Sequence, residues 1–190
     1  METPRAALPP TYETPRLVVR RYQVEDSAWY WSVGRRNREH LARFETDNPI
    51  RQLASEVEAR TLLEGFVAAW QAGTAYFLGA FLKPSNVFVA QLYIGLVSPR
   101  VPEYALGYFG DVAHGGHGYV TEAVGVGLRI CFEHLGAHRV RLECDDQNAR
   151  SARVAERSGF KLEGHIRENH RHDDGTLSGT LHYGLVRRAW

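Results

Sequence analysis

Apolar positions recur along this chain with two spacings, and the changes from one to the other divide it into elements. From Ser55 to about Ala72, Val57, Leu62, Leu63, Phe66, Val67 and Trp70 fall close to helical spacing, and Gly73 stands where that helix should stop. Val120, Ala123, Val124, Gly127, Leu128 and Cys131 recur at three- and four-residue intervals, which predicts an amphipathic helix over 119–135, ended by Gly136. Asp26 would cap an earlier helix running roughly to Asn37, and 148–158 reads as a short helix stopped by Gly159. Strand-like runs cover 17–22, 75–82, 87–97, 103–109, 138–144, 160–167 and 181–186. Proline-, serine- and asparagine-containing turns separate 75–82, 87–97 and 103–109, and suit antiparallel hairpins.

These elements predict one α/β (α+β) domain, with a mixed, mostly antiparallel sheet of about seven strands flanked by about four helices. A length of 190 residues allows one full core. The expected domain spans 13–190, behind a flexible N-terminal segment, 1–12, that carries three prolines. With 44% hydrophobic and 24% charged residues the composition is that of a folded globule rather than a disordered chain. The formal net charge of +1 supplies no broad basic field for nucleic acid or a membrane surface, so an anionic ligand must be held locally. Cys131 and Cys144 lack the spacing of a zinc site and read as buried thiols in a reducing compartment. Without a secretion signal or a membrane-length apolar run, a cytoplasmic protein is expected.

The densest chemical signal is Gly115-Gly116-His117-Gly118-Tyr119, between a strand and the 119–135 helix. Three glycines let the backbone approach a ligand closely, and the helix start offers unpaired N–H groups and a positive dipole end, a combination that suits a pyrophosphate. A plain strand-to-helix connection would look similar. A Walker A loop would need Gly-Lys-Ser/Thr, whereas Gly118 is followed by Tyr119-Val120, and a dinucleotide fingerprint would need glycine at Thr121.

About thirty residues on come Asn148-Ala149-Arg150-Ser151 and Glu156-Arg157-Ser158-Gly159-Phe160. This segment resembles the Asn-x-x-Ser/Ala and Lys/Arg-x-Gly-Phe pattern of the GCN5-related N-acetyltransferase (GNAT) superfamily. Pro15-Arg16-Leu17 with Arg20-Arg21, Asn37-Arg38-Glu39-His40-Leu41 and Leu106-Gly107-Tyr108-Phe109 resemble its RimJ/RimL branch, which acetylates ribosomal-protein N-termini. The resemblance runs from about Glu13 to Arg187. It implies a sheet splayed between its fourth and fifth strands and acetyl-CoA as cosubstrate, without a metal. The acceptor it implies is a primary amine, most simply a protein N-terminal α-amine; a small-molecule amine, or a noncatalytic acyl-CoA-binding module, is the alternative. Pairing into homodimers is frequent in that branch.

Carried over by position, Gly115, Gly116, His117, Gly118 and Tyr119 would hold the pyrophosphate, and the strand end at Phe109, Gly110 and Asp111 would pair with the pantetheine arm. Asn148 would contact the cofactor and also cap its helix, with Ser151 completing the same turn. Ser151 would stand by the thioester sulfur as donor to the leaving thiolate, because the tyrosine that many members carry four residues later is Ala155 here. Tyr104, Tyr108 and Tyr183 are possible substitutes for that tyrosine, and also read as core or rim residues. Ala113 and His117 stand where the family often has polar or basic residues, which points to weaker or pH-dependent cofactor affinity. Glu168 or His170 would accept the amine's proton, directly or through water. The cluster His170, His172, Asp173 and Asp174 reads as a solvated hairpin tip rather than a metal site.

Overall fold

The computed structural model describes residues 8–190. The strands are β1 (Thr11–Glu13), β2 (Leu17–Arg21), β3 (Ala75–Leu82), β4 (Phe88–Ser98), β5 (Glu103–Gly110), β6 (Arg139–Asp145), β7 (Lys161–Arg171) and β8 (Leu177–Val186). The α-helices are α1 (Ser27–Ala42), α2 (Pro49–Gln52), α3 (Glu56–Ala72), α4 (Tyr119–Arg129) and α5 (Ala149–Arg157). One eight-stranded sheet runs β1-β2-β3-β4-β5-β6-β8-β7, antiparallel throughout except between β5 and β6. The additions to the expected count are β1 and α2. Ordered structure therefore begins inside the leading segment, since Thr11–Glu13 pair with Val18–Arg20, while 1–7 lie outside the described residues.

Local chemistry explains where the helices start and stop. The Ser55 side chain accepts the Glu58 N–H at the start of α3, and Gly73, at φ +68°, closes it. Asp26 does precede α1, but its carboxylate binds Arg20 and the Gln23 N–H instead of capping, and the helix continues past Asn37 to Ala42. Beyond Arg129, α4 widens into a π-turn, with the Leu135 N–H reaching back to the Ile130 carbonyl.

Alternation along the strands sends apolar side chains to both faces of the sheet. On one face α4 packs over β2, β4 and β5, against Leu92 and Leu106 among others. A β-carbon on Gly127 would lie 2.6 Å from Leu106 Cδ1, so glycine there permits the close approach of α4 to β5. On the other face α1–α3 enclose an aromatic cluster in which Phe66 stacks on Phe77 at 3.7 Å and Gln91 Oε1 accepts both Tyr22 and Tyr30 hydroxyls. None of the described helices is long and apolar enough to cross a membrane.

The break that positions the site lies between β5 and β6. They pair only from Glu103–Ala105 to Arg139–Arg141. Beyond Ala105 the strands diverge, as expected for the fourth and fifth strand-like runs.

Candidate active site

The connection from β5 to α4 is braced from below. Asp111 is buried; its carboxylate accepts from Arg36 Nη2 at 2.6 Å, Asn37 Nδ2 at 2.9 Å and the Ala113 N–H at 3.0 Å. Burial alone would raise its pKa, but these bonds from Asn37, Arg36 and Ala113 hold it below the ordinary carboxylate value. The Asp111 N–H donates to Val89 and its carbonyl accepts from His114. Asp111 thus anchors the loop, and the open strand edge expected to run to it ends at Gly110.

The glycine loop has the form an anion cradle needs. Gly116 and Gly118 take φ +85° and +77°, and α4 begins with no side-chain cap. A β-carbon at Gly115 or Gly116 would meet no atom within 4 Å, so a diphosphate can approach that backbone. An arginine from another part of the chain, already paired with a carboxylate, reaches the loop. Arg16 donates to the His117 carbonyl at 3.0 Å, lies 4.7 Å from the Tyr119 ring centre and is held by Glu122 at 2.6 Å.

Where the strands diverge, Leu106, Gly107 and Tyr108 face Leu142, Glu143 and Cys144 across a cavity of about 210 Å³, closed by Asn148 and Ser151. Asn148 caps α5 by accepting the Ser151 N–H at 3.1 Å. The Ser151 hydroxyl lies 3.0 Å from the Tyr108 hydroxyl, which is also 3.0 Å from the Ser151 carbonyl. Burial raises the Tyr108 phenol well above 10, outweighing the Ser151 bond that lowers it, so the tyrosine stays protonated. The same two effects act on Cys144, where burial prevails and pushes the thiol up to about 11. Tyr108 therefore stands beside Ser151 on the wall of this cavity. Its place was visible in the alternation of Tyr104, Leu106 and Tyr108: the first two are buried, and Tyr108 meets the gap.

A second cavity, of about 550 Å³, meets the first along a shared wall that includes Glu45, Tyr108, Glu143, Cys144 and Asp145. Its acidic lining consists of Glu45, Asp47, Glu143 and Asp145, and no lysine or arginine contributes. His170 lines it. Glu168 does not: it is exposed, at φ +52°, in a bulge of β7 where the register shifts between Ile166 and His170. The fold thus separates the two proposed proton acceptors. The hairpin tip is also drier than expected, because His172 is buried, 3.3 Å from Asp145 and edge-on to Phe44, whereas Asp173 is exposed. Among the described residues no three His, Cys, Asp or Glu side chains are grouped to hold a metal ion.

Sequence reasoning missed Glu45. It follows α1 in the 43–48 loop, and burial pushes its carboxyl up to about 7, against one weak hydrogen bond from Asn48. The Asn48-Pro49 pair marks a turn, but nothing local marks the glutamate before it.

Residues 16–161 match the family model described as Acetyltransferase (GNAT) domain. A 64-residue stretch is 42% identical to the probable N-acetyltransferase YjcK of Bacillus subtilis (strain 168), covering 34% of this chain and only 35% of that protein. Among solved structures, the ribosomal-protein-S5-alanine acetyltransferase of Vibrio fischeri superposes with TM-score 0.83 at 20% identity, over 95% of this chain and 98% of that one. RimL, a ribosomal L7/L12 α-N-protein acetyltransferase in complex with coenzyme A, does so with TM-score 0.83 at 19% identity, over 93% and 97%. Mycobacterium smegmatis RimJ in complex with CoA-disulfide gives TM-score 0.80 at 22% identity, over 90% and 82%. At such identities these structural likenesses are likenesses of fold.

Proposed function

Since the chain belongs to the acetyltransferase (GNAT) family, we propose that it is an acetyl-CoA-dependent N-acetyltransferase whose acceptor is a protein N-terminal α-amine. The observation that carries this reading is the acidic cavity, free of lysine and arginine, that opens onto Tyr108 and Cys144 beside Ser151. An ammonium is drawn to such a lining. An α-amine, with pKa near 7.7 to 8.0, is roughly one-tenth neutral at pH 7, whereas a lysine is neutral at about one part in a few thousand. The names of the structural neighbours point the same way, and the reaction would then take place in the cytoplasm, beside newly made ribosomal proteins.

Bound acetyl-CoA supplies an acetyl thioester. Gly115, Gly116, His117, Gly118 and Tyr119 would hold its diphosphate by backbone N–H groups, with Arg16 as the nearby cation. Phe109 and Gly110 would present the open β5 edge to its pantetheine arm, and Asn148 would close that channel. Ser151 would donate to the leaving sulfur while the Tyr108 hydroxyl fixes the Ser151 rotamer. A thiol of pKa about 8.5 leaves with modest help, so a hydroxyl donor suffices. His170 would face the acceptor within the cavity. The test is release of free thiol from acetyl-CoA with short peptides, polyamines and aminoglycosides. Peptides with a free N-terminus should be the best acceptors, and turnover confined to the small molecules would overturn the assignment.

A further inference from the structure

We propose that Glu45 receives the acceptor's ammonium group and takes its first proton, which makes it a catalytic residue of this reaction; the inference rests on the amine-acetylating reading above. Two geometric features support it, and a third follows from them.

The first is position. Glu45 lines both cavities, so it stands where the acidic acceptor cavity meets the gap that holds Ser151. An amine entering from the larger cavity toward a thioester beside Ser151 would meet it along that shared wall, together with Glu143 and Asp145.

The second is the lack of a cation partner. Glu143 already faces His182 at 3.4 Å and Arg141 at 3.7 Å, and Asp145 faces His172 at 3.3 Å and accepts from Ser178. Asp47 is exposed at the rim. Among the described residues Glu45 forms no ion pair; Asn48 Nδ2, at 3.3 Å, is its one hydrogen-bonding side chain. The neighbouring Arg43 lies against the Phe44 ring and donates to Gln147. A recessed carboxylate without a cation is costly for the protein and complementary to a ligand that brings one.

The third is proton affinity. Burial pushes the Glu45 carboxyl up to about 7, close below an α-amine and far below a lysine. Transfer from an α-ammonium is therefore uphill by about one pKa unit, an easy match for general-base catalysis, whereas transfer from lysine would be uphill by about three. The other titratable groups around this point are Asp47 on the same loop, Tyr93 and Tyr108 on β4 and β5, Glu143, Cys144 and Asp145 on β6, and His170 on β7. None of these is a lysine or arginine; Arg51 of α2 donates to the neighbouring Thr46 carbonyl at 3.1 Å and faces Asp173, His172 faces Asp145, and neither pairs with the Glu45 carboxylate.

The protons balance. Glu45 takes one from R–NH3+, and the freed amine forms the C–N bond to the acetyl carbonyl. As the C–S bond breaks, a second proton from that nitrogen reaches the sulfur by way of the Ser151 hydroxyl. Glu45 then releases its proton to water through the larger cavity.

The experiment measures kcat/KM from pH 5.5 to 9.5 for a peptide with a free α-amine, on wild type, Glu45→Gln, Glu45→Asp and His170→Gln, with melting temperature and CoA affinity alongside. With a base, the acid limb of the wild-type profile should follow a group near pH 7. Without it only free neutral amine reacts, so Glu45→Gln should lose at least tenfold at pH 7, narrow the gap toward pH 9 and move its acid limb up to the amine's own pKa, about 8. Glu45→Asp should keep the lower limb, and CoA affinity should not change. Equal profiles for wild type and Glu45→Gln, or loss of the lower limb in His170→Gln instead, would overturn the Glu45 assignment and leave the acceptor reading intact. A wild type inactive on every amine would overturn both.

Discussion

Replacing Glu45 by glutamine also isolates a stability effect that needs no substrate. The Glu45 pKa is pushed from 4.5 up to about 7 by burial. Between those values the folded protein keeps a proton that the unfolded chain has released, so its stability falls as pH rises through that window and levels off above it. At about 1.4 kcal/mol for each tenfold change in acidity, full ionisation of this half-buried carboxyl costs at most roughly 3 kcal/mol. Glutamine keeps the shape and has no charge to bury. Urea unfolding, followed through the four tryptophans, should therefore find the Glu45→Gln protein within about 0.5 kcal/mol of wild type at pH 4.5 and more stable by up to about 3 kcal/mol at pH 8. Groups elsewhere titrate alike in both proteins and cancel from the difference. A difference that stays the same at both pH values would refute the claim that Glu45 is recessed without a cation.

Three further outcomes follow from the geometry of the site. Ser151→Ala and Tyr108→Phe should each lower kcat about tenfold or more with little change in CoA affinity, and the double variant should lose little beyond the worse single one, because the two hydroxyls act as a unit; steady-state kinetics and calorimetry check this. Asp111→Ala removes a buried anion that ties α1 to the loop, and should cost about 2–3 kcal/mol in denaturant unfolding at pH 7. Its lowered pKa means that this contribution is present above the unfolded carboxyl's range and lost as pH falls below it, so the wild-type advantage should fade in acid. Gly116→Ala forces a β-carbon into a φ +85° position and into the open space over the loop, so it should destabilise by about 1–2 kcal/mol and weaken CoA binding in calorimetry.

What could be read from the sequence had a local signal. Ser55 and Gly73 mark the ends of α3 because capping is decided by neighbouring residues, and β3 occupies 75–82 as the apolar pattern predicts. The Gly115–Tyr119 loop and the Asn148-to-Ser151 turn were legible as motifs. What escaped lacked a local pattern. β1 has three residues and α2 four, too short for any periodicity. β7 runs on through Arg171, past the predicted end at Arg167, because the residues that extend it, 168–171, are all polar and carry no apolar alternation. The bulge within it takes Glu168 off the cavity and leaves His170 on it. Glu45 is the clearest case, because its burial is created by β5, β6 and the 43–48 loop meeting, and no neighbour in sequence encodes that. Arg16 likewise reaches the glycine loop across a hundred residues of chain, donating to the His117 carbonyl.

The most direct test of the proposed function is the position of the acetyl group. A peptide with a free α-amine and an internal lysine, incubated with enzyme and acetyl-CoA and read by fragment mass spectrometry, should carry acetyl on the N-terminal nitrogen, and the same peptide with a blocked N-terminus should stay unmodified. Acetyl on the lysine side chain, or no transfer to peptides while a small-molecule amine is consumed, would contradict the account.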